Sequence, residues 1–334
     1  MWQSMVLLDP EFLPVYEALP ALDVFADLSA ARAAASAASG DGSSDSAVDV
    51  EDRVVPANGH PLSLRLYTPA ARGAGPLPVA VWMHGGGFVL GGPNAEDATC
   101  RRLSAELGIA VVAPDYRLAP ENPYPAAFDD CYAALGWAAD QAGDLGFDAS
   151  RLAVGGHSAG AALATAVALA ARDREGPHIR YLHLGYPVLD DRLTTASARA
   201  VTDPKLFNRH GAEAGWGMYL RGSDPGSGYA VPARAENLRN LPPAYLMVAG
   251  VDPARDEALE FAARLGAAGN SVEVHLVPGV PHMFDVLAPG VRASRRAVSA
   301  WTAAFADGIG VTAELGVMNG DAFISDDPEL SDIR

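Results

Sequence analysis

The apolar positions of this chain fall into short continuous runs separated by longer stretches of helical spacing. The runs Val79–Met83, Ala110–Pro114, Leu152–Gly156, Tyr181–Tyr186, Tyr245–Ala249 and Val272–Val277 have the length and continuity of strands buried on both faces. Between them, Asp97–Leu107, Ala126–Gln141, Ala159–Arg172, Ala254–Leu265 and Val291–Phe305 read as helices. Upstream, Arg53–Val55 and Leu62–Tyr67 alternate apolar and polar residues across intervening turn residues, which predicts an antiparallel pair. Strands alternating with helices define an α/β fold: a mostly parallel, eight-stranded sheet covered by helices on both faces.

Two stretches break this rhythm. Residues 1–37 carry helical patterns interrupted by Pro10, Pro14 and Pro20, followed by the flexible connector Ser39-Gly40-Asp41-Gly42-Ser43-Ser44. Residues 190–241 lie between the sixth and seventh strands with no clear strand of their own, far more chain than one crossover helix needs. The expected organisation is an N-terminal cap segment with its linker (1–45), a core (46–189 and 242–308), a cap insertion (190–241) and an acidic C-terminal tail (309–334). Insertions at strand C-termini lie over the ligand crevice of an open α/β sheet. Trp2, Phe12, Phe207, Trp216 and Tyr219 suit either a pocket lining or the core of the cap. Deleting residues 1–37 is expected to leave a folded sheet.

Composition narrows the function. With 49% hydrophobic residues in 334, a sizeable core is available and disorder is excluded. Lys and Arg number 24 against 41 Asp and Glu, a net charge of −17 that disfavours nucleic acid and anionic membrane as partners. Cys100 and Cys131 are the only cysteines, so a disulfide scaffold is excluded and nothing resembles a metal cluster. The first residues lack a basic region, and Asp9, Pro10 and Glu11 interrupt the apolar stretch, so a signal peptide is not expected. A soluble, cytoplasmic protein is expected, with a homodimer left open.

The chemistry concentrates after strand ends. Gly156-His157-Ser158-Ala159-Gly160 follows one predicted strand and opens the next helix, the context of a nucleophile elbow. Gly156 and Gly160 would relieve the crowding of that sharp turn. His84-Gly85-Gly86-Gly87-Phe88 follows another strand; its glycines leave backbone N–H groups uncovered, as an oxyanion hole requires. A phosphate-binding loop would continue Gly-Lys-Ser/Thr, and a dinucleotide fingerprint would place glycine where His157 stands. Gly86, Gly87 and Ala159 are the candidate oxyanion donors. Asp252 and His282 follow the seventh and eighth strands, so that nucleophile, acid and base run in the order Ser158, Asp252, His282. Taken singly, Asp252 suits equally a cap for the helix that begins at Pro253.

These residues, with Asp115-Tyr116-Arg117-Leu118-Ala119-Pro120-Glu121, Pro125-Ala126-Ala127 and Asp252-Pro253-Ala254-Arg255-Asp256-Glu257, resemble the hormone-sensitive-lipase-like (bacterial family IV) carboxylesterases of the α/β-hydrolase superfamily. The motifs span residues 84–282. The resemblance implies an α/β-hydrolase fold with a helical cap, and a Ser158–His282–Asp252 triad working through an acyl-enzyme. It also implies small-molecule carboxylic esters of short to medium chain as substrates, and no metal or organic cofactor. It makes Asp252 the acid that orients the histidine, with Asp256 structural. Amide or lactone hydrolysis and acyl transfer share this machinery. A non-catalytic ligand receptor on the same fold, which lacks the histidine, is the competing class. Departures from the family pattern are His157 where Asp or Thr is usual, Ala161 for a second glycine, and Met283 where Gly is common. The ring of His84 is expected to hold the glycine loop through the backbone, without moving protons, and Asp115–Glu121 to fix loop geometry.

Overall fold

A computed structural model describes residues 8–20, 24–25, 27–38, 46–73 and 75–311. The elements in chain order are α1 (Leu13–Ala18), α2 (Leu28–Ala38), β1 (Val48–Ala57), β2 (His60–Pro69), β3 (Leu77–Met83), α3 (Asp97–Leu107), β4 (Ala110–Pro114), α4 (Ala126–Asp140), α5 (Ala142–Leu145), β5 (Phe147–His157) and α6 (Ala159–Asp173). They continue with β6 (Tyr181–Gly185), α7 (Ala196–Ala200), α8 (Arg209–Tyr219), β7 (Ala244–Val251), α9 (Arg255–Ala267), β8 (Val272–Pro281), α10 (Phe284–Leu287) and α11 (Arg292–Ile309).

The eight strands form one sheet in the order β1-β2-β4-β3-β5-β6-β7-β8. β1 and β2 form an antiparallel hairpin, β2 runs antiparallel to β4, and every later pairing is parallel. Because side chains alternate across a strand, each continuous apolar run supplies both faces. In β3, Val79, Val81 and Met83 enter one core cluster while Ala80 and Trp82 enter the other. In β7, Leu246 and Val248 divide from Tyr245 and Met247 in the same way. Helices α4, α6 and α9 cover the first face, and α3 and α11 the second. No helix among the described residues is long and apolar enough to cross a membrane. Cys100 and Cys131 are both free and buried.

The N-terminal segment departs from expectation. Pro14 does not break a helix but opens α1, where its missing N–H costs nothing. The first part of the segment also belongs to the core. Leu8, Phe12 and Tyr16 are buried in the second core cluster, and the Tyr16 hydroxyl donates to Asp203 at 2.7 Å. Removing residues 1–37 would therefore take core side chains with it, so the deletion bears on the core as well as on the cap. Trp2 and the acidic tail beyond residue 311 lie outside the described residues.

Candidate active site

β3, β5, β7 and β8 run parallel and deliver their C-terminal ends to one edge of the sheet, so the loops that follow them converge. Ser158 sits between β5 and α6 at φ 56° and ψ −119°, a backbone conformation that costs a side-chain-bearing residue about 1–3 kcal/mol. Neighbours hold it there. Its N–H donates to the Gly185 carbonyl at 2.8 Å. A Cβ on Gly156 would lie 2.4 Å from the Met83 carbonyl oxygen, and one on Gly160 would lie 2.1 Å from the same atom. Both glycines are thus required by the passage of β3 behind the turn.

The structure brings Ser158, Asp252 and His282 together. His282 Nε2 lies 2.8 Å from Ser158 Oγ, and His282 Nδ1 lies 2.6 Å from Asp252 Oδ2. An ionised carboxylate only accepts, so the Nδ1 proton points to Asp252 and the Nε2 lone pair is left to accept from the serine hydroxyl. The other oxygen of Asp252 accepts the Ala254 N–H at 2.9 Å, so the residue also caps the turn entering α9. All three residues are buried. Asp256 points elsewhere: it accepts from the Ser197 N–H at 2.7 Å and pairs with Arg255 at 2.8 Å.

The glycine loop packs against this turn. A Cβ on Gly85 would come within 3.2 Å of the His157 carbonyl oxygen. Gly86 and Gly87 take φ of 122° and 61°, folding the loop back so that the Gly86 carbonyl accepts from Val89 and Leu90. The N–H of Ala159 opens α6 and has no acceptor within its own helix. His84 Nδ1 reaches the Gly85 carbonyl at 2.7 Å. Tyr116 stacks on the His84 ring and donates to the His84 carbonyl. The rest of the Asp115–Glu121 loop is held by Arg117 on buried Asp130 and by Arg32 on Glu121.

Burial pushes the His84 imidazole down to about 4, against its hydrogen bond to Gly85 and the nearby Glu96 carboxylate. Buried His183 is depressed in the same direction. The unfolded chain protonates near the ordinary value of 6.5 and the folded chain resists, so stability is complete above that pH and is lost as pH falls toward 4. His84 alone is expected to withdraw about 3 kcal/mol over that interval. Thermal melts from pH 7 to 4 should show the decline; a flat melting temperature would mean that solvent reaches the ring.

Sequence reasoning missed three residues. Glu96 lies buried at the end of a short 3-10 turn, and its carboxylate is 2.9 Å from His157 Nδ1. Burial opposes both charges, but their attraction outweighs it, holding Glu96 below the usual carboxylate range and His157 above the usual imidazole value. The visible signal was His157 itself, a basic residue in a buried turn that needs a counter-charge. Phe25 reaches Gly87 and the Gly211 and Gly215 positions of α8: Cβ atoms there would lie 3.3, 3.1 and 3.6 Å from its ring. Gly185 is the third, since its bare α-carbon makes room for the His157 ring. Among the candidate cap aromatics, Phe207 packs on the His282 ring with centroids 4.4 Å apart. Trp216 and Tyr219 instead bury themselves around Phe88.

A strained serine on a strand-to-helix turn, with histidine and aspartate arriving from the ends of later parallel strands, defines a serine hydrolase of the α/β-hydrolase class. Residues 80–286 match the family described as the alpha/beta hydrolase fold. Esterase LipI of Mycobacterium tuberculosis is 39% identical over 75% of this chain and 79% of its own length. Ethyl acetate hydrolase of Pseudomonas putida is 34% identical over 68% of this chain and 72% of its own. A solved bacterial heroin esterase superposes with a TM-score of 0.86 at 40% identity, covering 91% of this chain and 98% of that one. The chain belongs to the hormone-sensitive-lipase-like carboxylesterases of the α/β-hydrolase superfamily.

Proposed function

We propose that the protein hydrolyses short- to medium-chain carboxylic esters by acyl transfer through Ser158. The observation that carries this reading is the continuous hydrogen-bond line Asp252–His282–Ser158. Ser158 Oγ attacks the ester carbonyl as its proton passes to His282 Nε2, and Asp252 stabilises the resulting imidazolium. The N–H groups of Gly86, Gly87 and Ala159 take the negative charge of the tetrahedral intermediate. The intermediate collapses, and His282 gives its proton to the departing alcohol. His282 then removes a proton from the water that attacks the acyl-enzyme, returning the free acid and Ser158. A ligand receptor on this fold has no use for a histidine held between serine and carboxylate. No metal or organic cofactor enters any step.

Phe25, α2 and the 190–241 insertion form the cover. α8 packs on the glycine loop, where a Cβ on Gly215 would lie 3.0 Å from the Gly87 carbonyl oxygen. Arg32 ties α2 to the Val89 and Ala119 carbonyls at 2.8 Å. Phe25 and Phe207 stand as aromatic walls beside the oxyanion loop and the histidine. Such crowding favours small acyl groups, in keeping with a relative named for ethyl acetate. On a series of p-nitrophenyl esters, kcat/KM is expected to be highest for acetate through hexanoate and to collapse at laurate and palmitate. Equal or better turnover of the long esters would overturn the chain-length assignment.

A further inference from the structure

Glu96 and His157 lie in neither the proton-transfer line nor the set of oxyanion donors, yet they sit between the two loops that carry those donors. One carboxylate oxygen of Glu96 accepts from His157 Nδ1 at 2.9 Å, and the other faces the Gly85 N–H at 3.4 Å. His157 immediately precedes Ser158 and Ala159; Gly85 immediately precedes Gly86 and Gly87. Both side chains are buried. The His157 ring is fixed on its other sides as well. Tyr186 stacks on it with centroids 5.0 Å apart, and Trp82 meets it edge-on at 5.1 Å. Gly185 supplies its space, since a Cβ there would lie 2.2 Å from His157 Cδ2. Trp82 Nε1 also faces Glu96, at 3.4 Å.

We infer that Glu96 is a positioning residue for the oxyanion site, clamping the Gly85–Gly87 loop to the elbow through its contacts with Gly85 and His157. This rests on the ester-hydrolase reading above. An oxyanion hole acts through donors preset to where charge develops, so its parts must keep their spacing before substrate arrives. Gly86 and Ala159 belong to segments that share no strand-ladder hydrogen bond beyond Met83 and Gly156, where β3 and β5 end their pairing. A carboxylate shared by the adjacent residues on each side extends that register into the loops. Its two oxygens face Gly85 and His157, the residues that immediately precede the donors.

The test compares Glu96→Gln, Glu96→Ala and His157→Asn with the parent enzyme. Misplacement of a catalytic group by about 1 Å costs on the order of a hundredfold. Glu96→Ala is therefore expected to lower kcat by up to about a hundredfold with KM within about twofold. Glu96→Gln keeps an acceptor for Gly85 and should lose less. Affinity for an aryl boronic acid, which becomes tetrahedral on serine, should fall in parallel with kcat/KM across the series, while affinity for a non-covalent ground-state amide analogue holds. A purely structural residue would lower the melting temperature and leave the ratio of the two affinities unchanged, and that result overturns the proposal. If Glu96→Ala does not fold, Glu96→Gln and His157→Asn carry the same comparison. Stoichiometric labelling of Ser158 by an organophosphate, in parent and variants alike, separates the two levels. Its absence from the parent would sink the hydrolase reading; its presence with an unchanged affinity ratio would sink only the clamp.

Discussion

Ser158→Ala is expected to reduce ester turnover by about a million-fold while leaving the fold in place. The side chain that disappears is one oxygen, buried and bonded to His282. What remains is binding and the oxyanion donors, which sustain only a small residue of rate enhancement over water. Alanine must still adopt the strained turn, so stability should change little. An organophosphate should modify the parent at Ser158 and at no other serine, as peptide mapping by mass spectrometry will show. Modification elsewhere, or near-parental turnover by the alanine variant, would remove Ser158 from the mechanism.

The second large effect is expected at Asp252. Asn in that place presents an N–H₂ or a neutral carbonyl to His282 Nδ1, where the geometry asks for an anion 2.6 Å away. The tautomer with its proton on Nε2 becomes competitive, and that form cannot accept from the serine. A loss approaching ten-thousand-fold in kcat follows. Asp256→Asn is the paired measurement. Its carboxylate serves Ser197 and Arg255, so the same loss of charge should cost far less at the chemical step. If Asp256→Asn proved the more damaging of the two, the acid would have been assigned to the wrong residue.

What was legible in the sequence was local. α3 and β4 fall at the expected residues because their patterns are uninterrupted and end at Gly108 and Pro114. The elbow, the glycine loop and the loops bearing Asp252 and His282 were readable because each is set by neighbours within a few positions. β5 extends beyond the apolar run Leu152–Gly156, which leaves out its first five residues and its last, His157. Its opening pairs, Phe147 with Leu77 and Asp148 with Pro78, precede a register shift over polar residues that carry no apolar pattern. Glu96 was invisible for a different reason: its meaning depends on His157, sixty-one residues away. Met283, noted as a departure from glycine, is explained by the fold. It occupies φ 59°, the left-handed region where glycine is at ease and a side chain costs about 1–2 kcal/mol.

The empty side of Gly185 has a consequence for how this chain can change over time. Adding even a methyl group there drives an atom into the ring of His157. Shrinking His157 first strands the Glu96 carboxylate in the interior without its partner, a step of several kcal/mol. Neutralising Glu96 first removes the charge that holds the buried His157 above its usual imidazole value. Each single step costs stability, although a chain with all three positions altered could pack well. Positions 96, 157 and 185 are therefore locked in mutual epistasis. Lineages that carry histidine before the serine should keep their glycine and glutamate, and directed evolution by single substitutions should find this corner of the site closed.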